Sequence, residues 1–252
     1  MRTFGSLLVR GLIVGLFAGL LAGTFAYVMG ESRVDAAIAI EEAGAGAHTH
    51  DHGDEHEHAA PAAEEEPLVS RDGQKAGLFL ATGLYGVALG GIFAVGFTLL
   101  RRRLRTGNDA YAALGLAAAG FLGIVLVPFL KYPPNPPAVG DPETITRRTV
   151  TYLLTIVIGL LAVWAGVALS RWAVRYGEVA RLAGGVAGFL VTVVAAYLIL
   201  PRINEVPDTF PATLLWQFRF ASLGTQATLW LLLGFGYAAT VARRPSEQKV
   251  FA

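Results

Sequence analysis

The sequence predicts an all-α, polytopic membrane protein: six transmembrane helices with a disordered, His- and Glu-rich extracytoplasmic loop. Three observations predict it. Charged residues make up only 15% of the 252 residues, against about 25% in a typical soluble domain. Six apolar stretches each approach or exceed the roughly 20 residues needed to cross a bilayer. Lysine and arginine between these stretches fall mainly on alternate connections, as an inserted bundle requires.

The first span is expected at 7–29, within a 1–30 unit. Arg2 and Arg10 flank the start of its apolar core, as in a signal peptide. The run is longer than the roughly 7–15 residues of a cleaved leader, so it is read as an uncleaved span. Gly11, Gly15, Gly19 and Gly23 recur every fourth residue, and small residues at this spacing let helix backbones approach closely. The ladder suits packing within the chain or a seam against an oligomeric or single-span partner. Residues 31–75 are hydrophilic and rich in Ala, Glu, His and Gly. Such a segment buries too little apolar surface to offset its ordering entropy, so it is expected to be mobile without metal. Only Asp35 to Glu42 is suited to a short helix continuing the first span. A five-helix bundle is expected over 76–242, with spans near 76–100, 110–130, 150–170, 181–200 and 220–241. A tail follows at 243–252.

Charge placement orients the bundle. Arg101, Arg102, Arg103 and Arg105 follow the second span, Arg171, Arg175 and Arg181 follow the fourth, and Arg243, Arg244 and Lys249 lie in the tail. All share a side with Arg2 and Arg10, which the positive-inside rule makes the cytoplasm. Every acidic residue except Asp109, Glu178 and Glu247 falls on the other side, with all the histidines. The two remaining outer loops, 131–149 and 201–219, are proline-dense, each carries an asparagine, and each ends in arginine just before a span. Proline fixes φ and removes a backbone donor, so both loops should be stiff.

All five histidines, His48, His50, His52, His56 and His58, fall in one window reading HTHDHGDEHEH, and the chain has no cysteine. Imidazole without thiolate suits a divalent transition metal such as zinc, nickel, copper or cobalt. Spacing at i, i+2 and i+4 lets several rings point one way on an extended segment. Asp51, Asp54, Glu55 and Glu57 are interleaved and supply oxygen ligands and partners for ring N–H groups. A solvated acidic loop without a role is the alternative. In the proline-rich loops Asn135, Asp141, Glu143, Asn204, Glu205 and Asp208 are candidate oxygen donors at a pore entrance, with turn and capping chemistry as the alternative for each. Ser222, Thr225 and Gln226 can share a helix face and are pathway candidates, with helix–helix hydrogen bonding as the alternative. Enzyme chemistry is not expected: there is no P-loop, no H-E-x-x-H, and no histidine outside the loop for a catalytic triad. The arginine run at 101–105 is a topology signal, and no nucleic-acid partner is expected.

At KYPPNPPAVGDPETITRRT (131–149) and LPRINEVPDTFPATLLWQFRFASLGTQATLW (200–230) the chain resembles the CbtA family of proposed cobalt transporter membrane subunits of prokaryotes. The resemblance covers most of the chain, including the glycine-rich first span and the arginine-rich connection after the second. It implies cobalt uptake linked to cobalamin synthesis, a prokaryotic cytoplasmic (inner) membrane, and a small single-span companion, CbtB, with a histidine-rich end. The family is often described with five spans, where six are counted here, and the histidine loop is a feature associated with the companion. The expected function is uptake of a divalent transition-metal cation, cobalt favoured with nickel or zinc as alternatives. Capture would be by the His-rich loop, with the lipid bilayer, a CbtB-like subunit and a second copy as partners. A membrane-anchored metal sensor or metallochaperone, or a non-conducting assembly subunit, are the alternatives.

Overall fold

The computed structural model describes residues 3–47, 70–101, 103 and 107–242, and all the secondary structure it describes is helical. In chain order these are α1 (Phe4–Ala47), α2 (Arg71–Leu100), α3 (Asp109–Gly120), a π-helical turn (Phe121–Leu126), α4 (Val127–Lys131), α5 (Ile145–Ala173), α6 (Glu178–Ile199) and α7 (Ala212–Val241). Short 3₁₀ turns at Pro142–Thr144 and Val174–Tyr176 flank α5. Five segments are long and apolar enough to cross a membrane: Phe4–Ala43, Arg71–Leu100, Asp109–Lys131, Pro142–Tyr176 and Glu178–Ile199. The sixth, α7, is 30 residues long. It is more polar because Arg219, Ser222, Thr225, Gln226 and Thr228 interrupt it.

The helix termini follow local chemistry. Ser70 Oγ accepts from the Gly73 amide at 3.2 Å to open α2, and Asn108 Oδ1 accepts from the Ala110 amide at 2.9 Å to open α3. Both satisfy donors that lack an intrahelical partner. The π turn has a cause in Pro128. Proline has no N–H, and its ring displaces the carbonyl four residues back, here Ile124. The turn widens there, and Pro128 itself is fully buried.

One group of helices forms a scaffold. α1 and α2 run antiparallel with their backbones in contact. A Cβ added to Gly15 would lie 2.1 Å from Gly86 O, and one added to Gly90 would lie 2.1 Å from Gly11 O. The Gly11–Gly23 ladder is therefore used within the chain. α7 packs on this pair, and Tyr237 is fully buried with edge-on contacts to Phe93 and Phe97, both at 5.2 Å between centroids. Each such pair is worth about 0.5–1.5 kcal/mol beyond its buried area. Tyr237 also donates to Leu7 O at 3.4 Å, and Arg10 donates to Thr240 O. The start of α1 and the end of α7 thus share one end of the bundle, the terminal end.

α5 and α6 form a second, antiparallel hairpin. Cβ atoms at Gly166 and Gly188 would lie 2.8 Å from Gly185 O and Ala165 O. Its outward faces are apolar: Leu198 and Ile199 are 82% and 84% exposed, a surface suited to lipid. The hairpin meets the scaffold at the π turn, where a Cβ on Gly159 would lie 2.0 Å from Gly123 O.

At the opposite end, the loop end, α1 continues to Ala47 rather than stopping near residue 30. At 1.5 Å per residue its 44 residues span about 66 Å, roughly twice a hydrocarbon core. The extension is alanine- and glutamate-rich and lacks proline, so helix propensity is high. It also has a surface to bury: Ala37 and Ile40 pack against Val139, Phe210 and Leu215 from the proline-rich loops and the start of α7. Arg71 ties α2 to it through Glu31 and Asp35, both at 2.6 Å.

Candidate functional site

The proline-rich loops, α5 and α7 enclose a cavity of about 890 Å³ at the loop end. Four positions of α7, Arg219, Ser222, Leu223 and Gln226, line it from one side. α5 contributes Arg148, Thr149, Thr151 and Tyr152, and the loops contribute Tyr132, Asn135, Asn204 and Glu205. Ile124, Val125 and Ile156 line the cavity deeper in the bundle.

Glu205 organises the rim. Its carboxylate pairs with Arg148 at 2.9 Å, accepts from the Asp141 amide at 3.1 Å, and accepts from the Thr144 hydroxyl. The Thr144 and Asp141 hydrogen bonds, reinforced by the Arg148 and Arg147 charges, hold its pKa below the ordinary carboxylate value. The Arg148 path needs glycine at 140, where φ is +137° and a Cβ would lie 2.4 Å from the guanidinium. Arg219 holds the other loop. It donates to Asn135 Oδ1 at 3.0 Å and to Pro134 O at 3.4 Å, and lies over the Trp216 ring at 5.4 Å. The ends of α4 and α6 are also tied: Lys131 donates to Tyr197 O at 2.9 Å, and Tyr132 donates to Pro201 O at 2.7 Å.

Five of the residues singled out in the sequence meet here: Asn135, Asn204, Glu205, Ser222 and Gln226. Asp141, Glu143, Asp208 and Thr225 are not among the lining residues. Asp141 caps the 3₁₀ turn by accepting from the Glu143 amide at 2.8 Å. Asp208 is exposed in a turn closed by Phe210 N donating to Pro207 O at 3.0 Å. Ser222 and Thr225 hydroxyls donate to the carbonyls of Phe218 and Ala221 in their own helix, both at 2.9 Å. Gln226 Oε1 is buried without a hydrogen-bond partner among the described residues. His48, His50, His52, His56, His58, Asp51, Asp54, Glu55 and Glu57 lie outside the described residues. Among the described residues, no three His, Cys, Asp or Glu side chains are grouped to hold a metal ion.

Arg148 and Arg219 are the residues sequence reasoning left out. Spans drawn from 150 and 220 place both arginines just outside the bundle. The helices in fact begin at Ile145 and Ala212, which brings the guanidiniums inside. The signal was present in the shared pattern of an arginine ending each proline-rich loop.

Along α3–α4 and α5 the cavity stops at the Gly123–Gly159 contact. Beyond it, Leu122 and Val163 line a second groove of about 760 Å³, which reaches Ser170, Arg171 and Arg181 toward the terminal end. Two recesses thus approach one close helix contact from opposite ends of the bundle. The chain belongs to the CbtA family, whose members are described as probable cobalt transporter subunits; the family's model matches residues 4–242. No curated protein and no solved structure matches it.

Proposed function

We propose that this chain is the membrane subunit through which a divalent transition metal, cobalt favoured with nickel or zinc as alternatives, is taken into a prokaryotic cell across the inner membrane. The loop end faces outward and both termini face the cytoplasm. The observation that carries the reading is the cavity. It collects Asn135, Asn204, Glu205, Ser222 and Gln226 from two loops and one helix at the end where α1 runs over the loops to Ala47, and His48 is the next residue in sequence. In this reading His48, His50, His52, His56 and His58, with Asp51, Asp54, Glu55 and Glu57, concentrate the metal. Capture weakens as pH falls through about 6.5, where free imidazole protonates. Asp141, Glu143 and Asp208 stand at the rim of the entrance, and Thr225 stands beside the pathway. A CbtB-like single-span subunit or a second copy would complete the assembly in the bilayer.

Uptake of radiolabelled cobalt, nickel and zinc into proteoliposomes holding only the purified chain, offered as chlorides and as chelates, tests the function. Accumulation above empty liposomes is expected for at least one metal, and none for any of them contradicts it. A metal sensor or metallochaperone would bind metal through the loop without moving it, and an assembly subunit would do neither. Topology is separately testable because the chain has no native cysteine. A cysteine placed in the tail at Ser246 should react with membrane-impermeant maleimide only after the cells are opened. Labelling of intact cells there would invert the orientation.

A further inference from the structure

The loop-end cavity carries a charge imbalance. Its charged lining residues are Arg148, Glu205 and Arg219. Glu205 is committed to Arg148 at 2.9 Å and to the Thr144 and Asp141 donors. Among the described residues the partners of Arg219, inside α7, are neutral: Asn135 Oδ1, Pro134 O and the Trp216 ring. A guanidinium offers five N–H donors in a planar fork that matches a carboxylate or phosphate in two parallel hydrogen bonds. Two single acceptors leave part of that fork open. Gln226 shares its helix face and Asn204 lies in the opposite loop; their amide N–H groups can donate to the remaining oxygens of such a ligand, whereas the Ser222 hydroxyl is already donated to Phe218 O. The surrounding helices are apolar, so an uncompensated guanidinium acts strongly on whatever enters. It repels a bare divalent cation and attracts an oxyanion.

We propose that the cavity binds an oxyanion, a carboxylate or phosphate group, on Arg219, and that the metal enters as an anionic chelate carrying that group rather than as the hydrated cation. The proposal rests on the uptake reading only for its second half, since the oxyanion site stands on the cavity's own geometry. One ligand chemistry has two sources here, a metal chelate and an anionic lipid headgroup, and the experiment separates them.

Titration calorimetry of the purified full chain with metal-free citrate measures the site directly. Wild type is expected to bind. Arg219→Gln is expected to weaken binding about tenfold or more, and Arg219→Lys by less, because the charge remains while the fork is lost. Arg71→Gln removes an arginine from the same end but outside the cavity, and should leave citrate affinity unchanged. Absence of citrate binding by wild type overturns the oxyanion site even if no variant folds. Equal affinity in Arg219→Gln, or an equal loss in Arg71→Gln, does the same. In neutral-lipid proteoliposomes, radiolabelled cobalt citrate should accumulate at least about tenfold faster than cobalt chloride. Equal rates overturn the chelate and leave transport standing. Displacement of citrate by added phosphatidylglycerol also overturns the chelate, and assigns the oxyanion to a lipid headgroup. Citrate binding without accumulation of cobalt in either form supports the oxyanion site and removes the uptake reading instead.

Discussion

The α1–α2 seam and the loop-end cavity are made by opposite means. In the seam, side chains are absent: Gly11, Gly15, Gly86 and Gly90 bring two backbones together until no Cβ fits between them. In the cavity, side chains hold elements apart: Arg148 and Arg219 reach from two helices to brace two proline-rich loops. Between helices in lipid there is little hydrophobic drive, so close packing fixes the scaffold. The space at the loop end is instead bordered by proline-rich loops and long cationic arms. The contrast teaches where change is tolerated. A methyl group is costly in the seam, whereas at the rim the loss of one charge should leave the fold in place and, under the proposed function, alter what enters.

The seam gives the largest expected effect. Gly86→Leu puts a branched side chain where even a Cβ would lie 2.2 Å from Gly15 O, and no monodisperse protein should elute from size-exclusion chromatography. Gly86→Ala should cost about 1–3 kcal/mol, as overpacking does, read as reduced resistance to unfolding in detergent. Wild-type behaviour in both would break the comparison at its rigid side.

Deleting residues 48–58 tests the other side. If the loop concentrates metal for the bundle as proposed, uptake at low metal concentration should fall about tenfold or more while flux at high metal and thermal stability persist. Unchanged uptake at low metal would remove the loop from the account.

Glu205→Gln sharpens the rim. The folded pKa of Glu205 is lowered, so its contribution is present above the unfolded value and is lost as pH falls through the folded one. Wild type should melt a few degrees above the variant at pH 7, and the difference should begin to shrink below about pH 4, near the unfolded carboxylate value, and close only as pH falls through the lower folded one. A difference that does not shrink at all as pH is lowered through the carboxylate range would show that the Glu205 charge is not its source.

Pro128→Ala should have the smallest effect on stability, within about 1 kcal/mol. Restoring the missing N–H lets the π turn relax toward α-helix. That relaxation rotates Ile124 and Val125 at the deep side of the cavity and should change uptake more than melting. Melting that drops while uptake holds would make the π turn purely structural.

The spans were readable because hydropathy and arginine placement report directly on burial in lipid. Their ends were not, since a helix continues past the membrane wherever caps and partners allow. Asp35 to Glu42 was legible as a helix continuing the first span, but nothing in hydropathy marks Ala37 within it as a fully buried contact. The glycine period announced close packing, but its partner depended on Gly86 and Gly90, whose own spacing carries the same signal and was not paired with it. Of the site, the polar residues were visible as exceptions in an apolar chain. Arg148 and Arg219 were missed because spans drawn from 150 and 220 left them in the loops, whereas the helices begin at Ile145 and Ala212. The histidine cluster remains a statement about sequence.

The central claim is that the loop-end cavity is where metal enters the bundle. Ser222→Trp would fill it from α7, and it can be measured in proteoliposomes for accumulation of radiolabelled cobalt supplied as chloride and as citrate. The account predicts uptake by wild type and its loss in a variant that still elutes as a folded, monodisperse protein. Uptake by that folded variant at the wild-type rate would contradict it.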